Sequence, residues 1–435
     1  MAGTKVILAG GGVAGPILGI LLKLKGYDPI IYERLDAPTD MGLSLALQAN
    51  GLKVLGLIPG LVDKIAKHEV TDIVQYSVLA EDERELARFR APQKELTGYG
   101  VNGVRRPVLL RALIEEAQAR GLVSFEQHEE SVTVRFANGK TDTASFVVGC
   151  DGLHSDTRKT LFGEEAVSFT GLTQTGGISP YPKLFRANGF APMFNIYGNG
   201  VHMIGYPVND HEISWAITQR EAEAKETWRA MDEERQEEFR EGPCSHLPFG
   251  GGELVRTAAR ILKYGLYDRP ELPTWHKGRV VLIGDAAHPT SPHLGQGANQ
   301  ALEDCYHLTR LLLAHNPSGA PPSTALLAAI FAEFEGPRIA RTSELVKSAR
   351  QQGELRVVSG VEACKKRNEV IVEMYGGAAA GDSAGLIAQF VHLVENPLRL
   401  GRARFDCWGT HETRMPPYMA RENTTMYRSI GLLLP

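Results

Sequence analysis

The run Val6-Ile7-Leu8-Ala9-Gly10-Gly11-Gly12-Val13-Ala14-Gly15 constrains this chain more than any other stretch of it. Four apolar residues give a buried strand, and the glycines after them form a G-x-G-x-x-G turn that opens a helix. Gly10 permits the tight turn, Gly12 lets the backbone approach a pyrophosphate, and Gly15, next to the small Ala14, lets the helix lie close on the strand. The helix start offers unpaired N–H groups and a positive dipole end to the phosphates. Pro16 to Lys25 carries helical apolar spacing, Gly26 stops it, and Pro29-Ile30-Ile31-Tyr32 reads as a second strand. Glu33 closes that strand 18 residues after Gly15, where a carboxylate accepts from a ribose hydroxyl. A dinucleotide-binding βαβ unit is therefore expected at the start of the chain.

A length of 435 residues accommodates two domains and an appendix, with 43% hydrophobic and 23% charged residues as in ordinary soluble proteins. The net charge of -4, without a lysine or arginine block, gives no support to nucleic-acid or anionic-membrane partners. No apolar run approaches the ~20 residues that span a bilayer, and with a strand starting at Val6 no leader is expected. The five cysteines are scattered and lack a C-x-x-C pair, which points away from disulfides and zinc and towards a reducing cytoplasm.

Short alternating strands follow along the chain: Val123-Phe125, Val132-Val134-Phe136, Ser145 to Val148, and between 167 and 219 the runs Phe194 to Tyr197, Val201 to Tyr206 and Ile213 to Thr218. Glu221 to Arg240 is expected to be a charged, solvated helix. Arg279 to Ile283 returns to a buried strand, so a distant segment completes the first domain. Asn299 to Leu313 and most of the chain beyond 325 read as helical.

Two further motifs follow strands. One is Val147-Val148-Gly149-Cys150-Asp151-Gly152, running into Ser155 and Arg158. The other is Val280 to Ile283, then Gly284-Asp285-Ala286-Ala287-His288-Pro289, then Pro292-His293-Leu294-Gly295-Gln296-Gly297-Ala298-Asn299 and Glu303-Asp304. With the first turn and Glu33, these three motifs in order resemble the single-component FAD-dependent aromatic-ring hydroxylases of the hydroxybenzoate and salicylate hydroxylase type. The resemblance spans about residues 5 to 350. It implies FAD as the bound cofactor, with NADH or NADPH visiting as a transient reductant.

On that resemblance the fold is α/β. A Rossmann-like FAD-binding domain, three layers around a central parallel sheet (1–75, 100–165 and 272–340), interleaves with a mostly antiparallel substrate sheet (76–99 and 166–271). A mainly helical segment covers 341–435. Asp285 would accept from a ribityl hydroxyl, Gly284 would leave space for that chain, and the helix start at Gly295, Gly297, Ala298 and Asn299 would point N–H groups at the flavin's pyrimidine edge. The resemblance also gives Asp151 a part in FAD and pyridine-nucleotide handling, and Arg106 a flavin contact by its spacing to Leu109 and Leu113. The lesser alternative for Asp151 is a turn residue. Arg34 either touches the adenosine phosphate or is an exposed charge. His288 and His293 flank the Asp285 loop without a third metal ligand, so no metal is expected.

The implied chemistry is a flavin hydroperoxide that delivers a hydroxyl to an electron-rich ring, which calls for a proton relay and a dry pocket. On Val201 to Pro207, period-two alternation puts His202 and Tyr206 on one face, about 13 Å apart along the strand. This His-x-x-x-Tyr-Pro run is similar to that of decarboxylating hydroxylases whose matching His and Tyr contact substrate. His202, Tyr206 and Pro292 are the expected catalytic groups, and Phe194 and Tyr197 join His202 and Tyr206 as substrate contacts. As alternatives, His202 is a satisfied sheet histidine and Tyr206 a core aromatic. Those enzymes carry a histidine where Ala46 stands here, which weakens the transfer of their substrate. The expected reaction is hydroxylation of a phenol or aromatic acid with O2, with or without decarboxylation, by a monomer or homodimer. A tailoring oxygenase of terpenoid or polyketide molecules and a non-catalytic flavin module are the rival readings.

Overall fold

The computed structural model describes residues 4–33, 42–91, 93–119, 131–135, 141–165, 167–188, 191–221, 229–269 and 271–376. Arg34, the expected strand Val123-Phe125 and everything beyond Gly376 lie outside them.

A five-stranded sheet runs in the order His276–Lys277, Val280–Leu282, Phe146–Gly149, Lys5–Ala9, Asp28–Tyr32. All neighbours are parallel except the short first pair. Val6, Ile7 and Leu8 are all fully buried, as a central parallel strand covered on both faces must be. Val6, Leu8, Phe146 and Val148 pack with the helices Ala14–Leu24, Gly297–His315 and Thr324–Arg356. On the other face Ile7 and Val147 meet Val132 and Val134 of the hairpin Val132–Arg135 and Thr141–Ala144. The three layers are helices, parallel sheet and a small β-hairpin.

The second sheet has eight strands in the order Arg229–Ala230, Ile261–Asp268, Ser168–Pro180, Glu212–Arg220, Val201–Pro207, Met193–Tyr197, Asp72–Ser77, Arg84–Arg90. It is antiparallel throughout except where Met193–Tyr197 runs parallel to Asp72–Ser77. Its two faces differ in chemistry. Phe194, Ile196, Met203, Trp215 and Ile217 form an apolar core with Leu254 and Val255 of the helix Gly251–Thr257. By strand alternation Gln174, Asn195, Tyr197, His202, Tyr206 and Thr218 lie on the opposite, polar face. A small three-stranded sheet, Ser44–Leu47, Val101–Arg105 and Glu69–Val70, stands beside the two.

The charged segment is not one helix. Arg229–Ala230 is an edge strand, and the helix begins only at Glu233, where Asp232 accepts from the Arg235 N–H at 2.9 Å as its cap. Two helices, Thr324–Arg356 and Val361–Gly376, follow the parallel sheet. The first is tied to the helix Gly297–His315 by Arg338, which binds Glu303 at 2.5 Å and Asp304 at 2.7 Å. The second lies on the eight-stranded sheet, where Tyr375 stacks on Phe89 with centroids 5.2 Å apart. Among the described residues no helix is long and apolar enough to cross a membrane.

Candidate active site

The first glycine turn has the geometry its sequence requires. Gly10 sits at φ +116° and donates its N–H to Tyr32 O at 2.8 Å. A Cβ on Gly15 would lie 2.0 Å from Gly10 O, so only glycine allows the helix this close, whereas a Cβ on Gly12 would meet nothing within 4 Å. The space over Gly12 is thus open for a phosphate. Glu33 arrives from the next strand end and accepts the Gly11 N–H at 2.7 Å, its side chain exposed beside the turn. Ala14 is buried and faces the core, which restricts it to a backbone contact with any ligand.

The second cradle forms where Val280–Leu282 ends. Gly284 takes φ +59° and its N–H is held by Asp304 Oδ2 at 2.8 Å, which also accepts from His288 Nε2 at 2.6 Å. His288 is thereby a partner of a helix carboxylate. Asp285 projects from this anchored loop into solvent, yet surrounding protein raises its carboxyl pKa by desolvation while His288 and Arg106 pull it down. A Cβ on Gly297 would stand 3.8 Å from Asp285 Oδ1, so the helix start and this carboxylate border one space. Gln300 N–H donates to Gln296 O, leaving the N–H groups of Gly297, Ala298 and Asn299 ahead of the helix ladder. Gly295, at φ +62°, makes the turn into that helix. Arg106 heads the helix Arg106–Ala119, its charge felt at Asp285, while its neighbour Arg105 turns away to Glu212 at 3.5 Å.

Two cofactor expectations are narrowed by the geometry. The Asn299 side chain is spent within the protein, accepting from Gln48 N–H at 3.0 Å and donating to Ala46 O and Gly295 O at 3.0 and 2.8 Å. Only its backbone N–H remains for a ligand. Asp151 accepts from Ser155 Oγ at 2.5 Å and from the N–H and hydroxyl of Thr157 at 3.0 and 2.9 Å. It fastens the start of the helix Asp156–Phe162, which is the turn role open to it from the sequence.

On the polar face of the large sheet, His202 is fully buried and pairs with Asn195 Oδ1 through Nε2 at 3.0 Å, while its Nδ1 has no partner. Because Asn195 presents an oxygen, Nε2 carries the proton and Nδ1 is a bare acceptor. Burial, then the nearby charges of Arg356, His293 and Arg367, hold the His202 pKa well below its ordinary value, so the ring is neutral. Tyr197 lies across the strand pair with its ring 4.8 Å from that of His202. The Tyr206 hydroxyl shares a 2.6 Å hydrogen bond with Ser44 Oγ, and burial raises its pKa. Pro292 is exposed at the start of the turn Pro292–Leu294.

Phe194 is a correction. Strand alternation puts it on the apolar face, fully buried beside Phe185, with Gly205 opposite leaving room for its ring. It is core and cannot touch a ligand on the His202 side. Sequence reasoning missed Ser44, Asn195 and Arg356, which meet the His202–Tyr206 strand or its surroundings only in three dimensions. Asn195 was legible in principle, since it shares the period-two face of Tyr197.

Two glycine-shaped cradles on the carboxyl ends of a parallel sheet, with a polar antiparallel face for a second ligand, define a dinucleotide-dependent flavoprotein of the two-sheet kind. The FAD binding domain family matches residues 3–328, and the chain belongs to this family of FAD-dependent monooxygenases. A 3-amino-4-hydroxybenzoate 2-monooxygenase of Streptomyces platensis is 30% identical over 371 residues, covering 80% of this chain and 87% of the relative. A 6-hydroxynicotinate 3-monooxygenase of Pseudomonas fluorescens is 27% identical over 368 residues, covering 81% and 92%. Among solved structures, HpxO of Klebsiella pneumoniae complexed with FAD and uric acid has TM-score 0.73 at 21% identity, covering 86% of this chain and 94% of that one. A salicylate hydroxylase substrate complex has TM-score 0.65 at 22% identity, covering 88% and 97%. These likenesses show the FAD-binding family and its fold.

Proposed function

We propose that the chain hydroxylates a phenol or aromatic acid, consuming NAD(P)H and O2, on the polar face of the eight-stranded sheet. The observation that carries this reading is the buried, neutral His202 with its unpartnered Nδ1 acceptor on the same strand face as Tyr206. Bound FAD supplies the two-electron chemistry with NAD(P)H and the activation of dioxygen.

The chain's own residues do the rest. Gly10, Gly12 and Gly15 with Glu33 would hold the adenosine diphosphate half, and Asp285, Arg106 and the N–H groups of Gly297 to Asn299 would hold the flavin half. Those N–H groups, at the positive end of the helix dipole, would favour negative charge placed beside them. His202 Nδ1 accepts a hydrogen bond from a ring hydroxyl, drawing electron density into the ring. Tyr206 and Ser44 form a two-hydroxyl relay through which a phenolic proton is exchanged. Tyr197 and Pro292 wall the ring and exclude water. The relatives' substrates, amino-hydroxybenzoate and hydroxynicotinate, favour a small aromatic substrate over a terpenoid or polyketide.

Measuring NAD(P)H consumption and product mass across hydroxybenzoates, hydroxynicotinates and simple phenols tests the proposal. Substrate-triggered oxidation with a product heavier by one oxygen, or differing by one oxygen less the mass of CO2, is the expected result. An FAD-loaded protein that responds to no aromatic compound refutes it.

A further inference from the structure

Five arginines are buried among the described residues: Arg158, Arg269, Arg338, Arg356 and Arg367. Four of them are matched by oxygen acceptors. Arg158 binds Glu165 and the carbonyls of Ala286 and Ala287, Arg269 the carbonyls of Leu153 and Glu165, Arg338 the carboxylates of Glu303 and Asp304, and Arg367 Gly198 O and Asn368 Oδ1. Arg356 is the exception. Only 7% of it is exposed, its one hydrogen bond goes to His293 Nδ1 at 3.3 Å, and its Nε has no partner. An arginine does not shed its proton, so among the described residues this is a buried positive charge without a counter-charge, an unfavourable state unless an anion joins it.

Its position says where the anion comes from. Arg356 is the last residue of the helix Thr324–Arg356, whose terminal carbonyls ease the charge only in part. It stands between two parts of the proposed site: His293, which follows Pro292 in the flavin-side turn, and the His202 and Tyr197 face of the sheet, both of which feel its charge. The helix is brought in by Gly353, where a Cβ would fall 2.6 Å from the His293 ring. Among the described residues the groups around Arg356 are Tyr197, Tyr375, His202, His293 and Arg367, none of them an acid.

We propose that Arg356 is the specificity-determining residue of this enzyme and binds the ionised carboxylate of an aromatic acid substrate. The proposal rests on the hydroxylase reading above and narrows it to an anionic ring. The guanidinium completes its hydrogen bonding with the carboxylate oxygens, and the substrate brings the missing negative charge.

The test uses the FAD-loaded full chain and follows ligand uptake by the change in flavin absorbance. The probes are 4-hydroxybenzoate, salicylate and 6-hydroxynicotinate, each beside its primary amide, with phenol as a ring that lacks the carboxylate. Wild type is expected to favour the best-bound acid over its amide on the order of tenfold or more, and Arg356→Gln to lose that preference while retaining its flavin spectrum. Arg356→Lys, which keeps the charge without the fork, is expected to recover part of the preference, separating recognition from simple loss of structure. A wild type that takes amides or phenol as readily as acids, or an Arg356→Gln enzyme with an unchanged ratio, overturns the proposal while leaving the hydroxylase intact. A protein that takes up no aromatic ring overturns the hydroxylase reading and this proposal with it.

Discussion

Single atoms decide the cofactor cradle. Gly15→Ala would drive a methyl group against Gly10 O, 2.0 Å from its ideal position, and overpacking of this kind costs about 1–3 kcal/mol. The purified variant should be colourless or weakly yellow and melt earlier than wild type. Asp285→Ala removes the carboxylate that borders Gly297, and the same absorbance measurement should show flavin loss with little change in melting, because Asp285 makes no packing contact in the core. His202→Ala should keep FAD and uncouple NAD(P)H oxidation from product, seen as peroxide release; full coupling would remove His202 from the proposed chemistry. These positions stood out in the sequence as candidates because each sits where few residue types can do the backbone or charge task proposed for it. Phe194 was not, since an aromatic residue on a strand adjoining the site reads alike whether it faces the ligand or the core.

Helices and sheets are locked together by charge at one buried point. Arg338 of the long helix joins Glu303 and Asp304, and Asp304 in turn holds the Gly284 N–H of the Asp285 loop. Removing one member of a buried pair leaves uncompensated charge at a cost of about 3–5 kcal/mol. Arg338→Met should lower the urea midpoint accordingly and loosen FAD, whereas Glu333, at the exposed surface of the same helix, should be replaceable by Gln with no measurable change. The βαβ start and the strand Val280–Leu282 were readable as elements from apolar runs bounded by glycine. The segment from Glu221 to Arg240 misled because charged residues score as helix formers, while the edge pairing of Arg229–Ala230 with Ile261–Asp268 is a long-range choice that composition does not record.

The whole molecule should be sensitive to mild acid. Burial lowers the pKa of His293 to about 3 and of His307 to about 4, from an ordinary 6.5. Above pH 6.5 both rings are neutral folded and unfolded, and stability does not depend on them. Below it the unfolded chain takes up protons that the folded state refuses, so stability falls by up to about 1.4 kcal/mol per pH unit for each ring. The Asp304 carboxyl, held down to about 2, acts only lower, its stabilisation being lost as pH drops beneath its ordinary 3.8. Urea unfolding at pH 7 and pH 5.5 should show the loss, and His307→Gln should flatten the slope; identical midpoints at the two pH values would contradict it.

Local steric necessity lets the amino-acid sequence alone specify the dinucleotide turn, the order of the three motifs and hence the FAD family, because glycines, terminal acids and apolar strands act on their immediate neighbours. The tertiary structure alone decided which face of the large sheet is polar, that Asn299 and Asp151 spend their side chains on the scaffold, and that Arg356 reaches the His202 neighbourhood from a helix about 150 residues further on. Strand alternation fixes two faces without saying which is buried, and that no described acid packs against Arg356 is visible only once its spatial neighbours are known.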